Sequence, residues 1–150
     1  MKMVKRIFIG FVVIIIVIQF IQPVRNTSGQ VVPQSFIDTF QPNDTIVKLL
    51  ANSCFHCHSN NTKYPWYTNI QPVGWLMAKH INDGKDELNF DDLAALSNRR
   101  RNSKFKSISE QIEQDKMPLK SYLFIHRNAA LNEADKKLLI NFFQSKIHNN

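Results

Sequence analysis

Both cysteines of this 150-residue chain fall within one five-residue string, Cys54-Phe55-His56-Cys57-His58. No other feature restricts the fold as much. On a helical turn, positions i, i+3 and i+4 share a face, so Cys54, Cys57 and His58 are presented together to one flat ligand. A disulfide across two intervening residues would close too short a loop to staple anything.

The C-x-x-C-H order points to attachment of a c-type haem, with Cys54 and Cys57 forming thioethers to the porphyrin and His58 supplying the proximal iron bond. Two other chemistries remain open. Periplasmic thiol oxidases also carry a His at the position of His56, between cysteines whose depressed pKa drives disulfide exchange. Those sites follow a strand in a βαβ framework, and no strand alternation is visible in this chain. A zinc ion would need Cys54, Cys57 and two of His56, His58, His80 and His126, with no second C-x-x-C or H-x3-H pair to support it.

The N-terminus reads as an anchor. Lys2, Lys5 and Arg6 precede an apolar run from Ile7 to Ile18, which continues weakly through Phe20, Ile21 and Val24. As one helix, Ile7 to Val24 would span about 27 Å, close to a hydrocarbon core. No small-residue cleavage site follows, so residues 1–26 are expected to be an uncleaved signal anchor. The basic end would stay in the cytoplasm, leaving a single-pass protein of the cytoplasmic membrane whose remaining chain faces the periplasm or an equivalent exported space.

The net charge of +7 is partly a product of that basic end. Elsewhere the densest basic cluster is Arg99, Arg100, Arg101, Lys104 and Lys106. With no recognition-helix pattern or series of stacking aromatics beside it, it reads as solvated surface or a docking patch for an acidic partner, not a nucleic-acid interface.

Residues 27–42 read as an irregular linker carrying Pro33 and Pro42, and residues 43–150 as one all-α domain. Asn43 or Asp44 is placed to cap a helix leading into Cys54. Gln71-Pro72 opens a second helix, with Gly84 placed to end it. A short third helix starts at Asp91 or Asp92, and a fourth runs from Phe105 to Asp115. Asn132 caps the last helix, whose expected buried stripe is Leu138, Leu139, Phe142, Phe143 and Ile147. Tyr122 to Ile125 is the only short run that reads as extended. Outside the N-terminal segment apolar residues are sparse, which suits a fold whose centre is filled by a large apolar cofactor.

From the motif onward the chain resembles the bacterial haem-binding domain family, a branch with class I cytochrome c character. The resemblance rests on Cys54 to Trp66, on Pro72 to Gly84, on Leu88-Asn89-Phe90, on Met117-Pro118-Leu119-Lys120-Ser121-Tyr122 and on the capped final helix. It implies a cytochrome c-like fold, one covalent haem and Met117 as the sulfur ligand on the distal side. Met77, His80 and His126 are the other distal candidates. Met117 stands before Pro118, where a helix must end and the chain can cross the haem face.

Tyr64, Trp66, Tyr67 and Trp75 are candidates for the haem wall, and His80 for a propionate partner. His56 is expected to point to solvent, and His126 has no motif around it. His/Met ligation leaves no open iron position, so the chain reads as an electron carrier between redox proteins rather than an enzyme. The alternative is a haem enzyme or sensor whose distal ligand leaves.

Overall fold

A computed structural model describes residues 2–30 and 32–147. Among them every regular element is helical, and no strand is present. The all-α expectation therefore holds, but the membrane span expected at the N-terminus does not.

Helix α1 covers Lys2–Ile18, only 17 residues, and no helix among the described residues is long and apolar enough to cross a membrane. The apolar part of α1 begins at Ile7, so its helical length is roughly 18 Å, against about 30 Å for a hydrocarbon core. The helix stops where the chain docks on the rest of the molecule. Gln19 accepts from the Gln71 backbone N–H at 2.9 Å and donates to the Gln71 carbonyl at 3.2 Å. Gln22 accepts from the Gln71 side chain at 3.0 Å and donates to the Asn69 carbonyl at 3.1 Å. These bonds tie the chain just past α1 to the segment that precedes α5. The expected membrane-spanning helix is contradicted, and with it the single-pass location that rested on it.

The segment expected as an irregular linker contains helix α2, Gln34–Phe40. Phe36 is fully buried and meets Phe90 edge-on with centroids 5.0 Å apart, so this segment belongs to the core. Helix α2 ends at Gln41, whose N–H still reaches the Ile37 carbonyl while its left-handed φ of 46° turns the following chain out of the helix.

Helix α3, Asp44–Ser53, is capped as expected by Asn43, which accepts from the Ile46 N–H at 2.9 Å. Helix α4, Phe55–His58, follows after Cys54 as a single turn. Helix α5, Val73–Glu87, packs on α4. The third expected helix is only a 3-10 turn, Leu93–Ala95. Helix α6, Asn98–Glu113, starts earlier than expected, so the arginine cluster occupies its first turns. Arg99 and Arg100 are exposed, while Arg101 lies over the Phe40 ring and donates to the Ala94 carbonyl.

Tyr122 to Ile125 is not extended: it lies in helix α7, Lys120–Ile125. Helix α8, Glu133–Ser145, carries the full Asn132–Asp135 capping box and packs on α6. Its stripe is narrower than expected, because Leu139 and Phe143 are fully buried but Leu138 is 38% exposed. The resulting phenylalanine-rich core fills the space between α2, α3, α6 and α8. Phe55 enters it from α4 and meets Phe90 at 5.1 Å. That anchorage fixes the C-x-x-C-H turn on the core while its reactive residues face a separate cleft.

Candidate functional site: a C-x-x-C-H cleft

The cleft has a volume of about 360 Å³, within the roughly 300–1,000 Å³ of small-molecule sites. One wall is the C-x-x-C-H turn itself. The N–H groups of Cys57 and His58 both reach the Cys54 carbonyl, at 3.2 and 3.0 Å. This closes one helical turn and brings Cys54, Cys57 and His58 to the same cleft.

Helix α5 forms the adjoining wall, and a glycine lets it approach. Gly84 lies inside α5 and not at its end as expected; a Cβ there would sit 3.0 Å from the Cys57 carbonyl oxygen. The close approach puts one α5 carbonyl and the carbonyl of the residue that follows the helix within reach of the His58 ring: Nδ1 is 2.8 Å from the Gly84 oxygen and 3.0 Å from the Leu88 oxygen. Carbonyls only accept, so Nδ1 carries the proton and Nε2 keeps its lone pair. An imidazole so oriented is prepared as an iron ligand.

Burial, and then Cys57, pushes the Cys54 thiol from its usual 9.0 to about 12, and burial pushes Cys57 to about 11. Thiol exchange needs the reverse, a depressed pKa and a standing thiolate. The zinc alternative also fails on geometry: among the described residues no group of three or more His, Cys, Asp or Glu side chains is gathered for a metal ion.

The other lining residues suit a flat, mostly apolar plate. Val73, Leu76 and Met77 come from α5, Leu119 and Ile125 from the α7 region, and Met117 and Pro118 from the turn after α6. Met77, His80 and Met117 all reach this cleft. A haem therefore fits the donor set: two thiols and an oriented imidazole on one turn, with a methionine sulfur in the same cleft.

Three expected wall residues lie elsewhere. Tyr64, Trp66 and Trp75 do not line the cleft; Tyr64 and Trp75 hold the chain that follows α1. The Trp75 indole donates to the Ile21 carbonyl at 2.8 Å, and the Tyr64 hydroxyl accepts from the Asn26 N–H at 2.8 Å. Trp66 is 75% exposed. Of the four aromatics only Tyr67 lines the cleft.

Three residues that sequence reasoning did not favour are there instead. His56 is half-buried, not solvent-directed, and shares a 2.5 Å hydrogen bond with the Tyr122 hydroxyl. His126 stacks on Tyr122 with centroids 4.3 Å apart, and its Nε2 pairs with the Tyr67 hydroxyl. The i, i+4 spacing of Tyr122 and His126 was the available signal for this pair, once residues 120–125 are read as helix.

No curated protein and no solved structure matches the chain. A family model does, the haem-binding domain, over residues 13–145. That span takes in the C-x-x-C-H turn, α5, Met117 and the capped final helix. The chain thus belongs to the haem-binding domain family, which implies haem as its ligand.

Proposed function

We propose that the chain binds one c-type haem covalently, through Cys54 and Cys57, and serves as an electron-transfer protein. The observation that carries this reading is the His58 ring, oriented by the Gly84 and Leu88 carbonyls on the turn that also presents both thiols. Bound there, a haem supplies a one-electron couple.

The protein's part is to hold and tune it. His58 offers Nε2 as the proximal ligand while its Nδ1–H is held by α5. Met117 would supply a thioether as the second iron ligand, which would raise the potential relative to a second imidazole. The burial that keeps both thiols protonated also keeps them from exchange chemistry before attachment. His80 lines the cleft from α5, and α2 is part of the haem-carrying unit, since its Phe36 shares the core with Phe55 of the motif turn.

Expression with a c-type maturation system tests the reading. The wild-type chain should retain haem on a denaturing gel and give a pyridine haemochrome, and Cys54→Ser and Cys57→Ser should each lose most of that covalent haem. A wild-type protein that releases all its haem on denaturation sinks the covalent assignment; one that never takes up haem under maturation sinks the function.

A further inference from the structure

Four of the polar rings lining the cleft form two phenol–imidazole pairs. Tyr67 pairs with His126, and Tyr122 pairs with His56. The pairs are joined by the Tyr122–His126 stack at 4.3 Å, and the His56 and His126 centroids are 6.4 Å apart. His56 lies between the two cysteines, so the network starts inside the attachment motif. It ends at His126, half-buried between the exposed residues Ile125 and Arg127, where water can deliver a proton.

We propose that His126 is a redox-linked proton site: when the haem gains one electron from a redox partner, one proton passes from solvent to the His126 imidazole, and it returns to solvent on oxidation. This rests on the reading that a haem is held at Cys54, Cys57 and His58. An electron added in the cleft makes it more negative, and a more negative neighbour favours the cationic form of an imidazole. Protonated His126 keeps its partner, since the Tyr67 oxygen can accept from Nε2–H as readily as the hydroxyl donates.

The groups facing His126 are Tyr67 from the turn Trp66–Asn69, His56 from α4 and Tyr122 from α7, with Lys63 acting on His56. None is an anion at neutral pH, so nothing in the ring shell already holds the proton in place. Burial keeps His126 below the usual imidazole value of 6.5, which puts its titration in the oxidised protein on the acid side of that value. His56 is less suited to the role, because burial, His126 and Lys63 all oppose its protonation.

The test uses the haem-loaded full chain, with wild type and His126→Gln first matched for covalent haem by pyridine haemochrome. Absence of haem in the wild type would fail the underlying reading and not this one. The wild-type midpoint potential should rise as pH falls below the usual imidazole value, approaching about 59 mV for each tenfold rise in proton concentration. The His126→Gln potential should stay flat through that window. Equal slopes in the two proteins, or a flat wild type, overturn the proposal. Should the variant fail to incorporate haem, the His126 ring resonances of the wild type decide: they should titrate at higher pH in the reduced than in the oxidised protein, and equal titration in both states overturns it.

Discussion

The Nδ1 of His58 lies 2.8 Å from the carbonyl oxygen of Gly84, and the absence of a side chain at Gly84 is what allows it. A Cβ there would stand 3.0 Å from the Cys57 carbonyl oxygen and 3.4 Å from the Cys57 Cβ. Gly84→Ala gains about 0.5–1 kcal/mol of helix propensity, but overpacking against backbone costs about 1–3 kcal/mol. The net expectation is a loss of about 1 kcal/mol with a lower yield of covalent haem. Gly74→Ala should lose more, because its Cβ would stand 2.4 Å from the Thr68 carbonyl oxygen. Thermal unfolding of both variants checks the order, and a Gly84→Ala midpoint at or above that of the wild type would mean α5 steps aside freely.

The thiols carry a pH dependence. In haem-free, reduced protein, Cys54 and Cys57 titrate near about 12 and about 11 instead of 9.0. Alkylation by iodoacetamide should therefore be slow at pH 8 and accelerate only well above pH 9, while the urea-unfolded chain reacts readily near its ordinary value. Because the folded values are the higher ones, the protonated thiols contribute stability that is present below about pH 9 and lost as pH rises through about 11 to 12. Folded and unfolded chains alkylating alike at pH 8 would contradict the burial.

Met117 and Met77 both line the cleft, and substitution separates them. Met117→Ala should abolish the sulfur-to-iron charge-transfer band of the oxidised haem protein and lower its potential. Met77→Ala should leave the band in place, its side chain serving as packing. An unchanged Met117→Ala spectrum would move attention to His80, which lines the same cleft.

Phe36 tests whether α2 is integral to the domain. Its ring is fully buried, with Phe40 and Phe90 about it at 5.1 and 5.0 Å. Phe36→Ala should destabilise by about 3–5 kcal/mol, a large part of the stability of an ordinary domain. Leu138→Ala, at a position 38% exposed, should lose far less. Urea unfolding gives both numbers, and similar losses for the two would mean that α2 is dispensable.

What could be read from the chain alone is what a few consecutive residues decide. The i, i+3, i+4 periodicity of one helical turn put Cys54, Cys57 and His58 on one face before any tertiary contact was known. The Asn43 and Asn132 caps were legible for the same reason, since each side chain serves an N–H three residues on. Tertiary structure decided the rest through partners far along the chain. Gln71 pairs with Gln19, the residue just past the end of α1, across 52 positions, a contact that hydropathy counts could not register. Tyr64 and Trp75 were spent on Asn26 and Ile21, whose backbone needed donors and acceptors where it docks, instead of walling the cleft. His56 and Tyr122, 66 positions apart, met only because α7 folds back on the motif turn. Gly84 looked like a helix end because its lack of a side chain is locally ambiguous: it suits a terminal left-handed turn or a close approach, and only the Cys57 carbonyl against α5 selects the second.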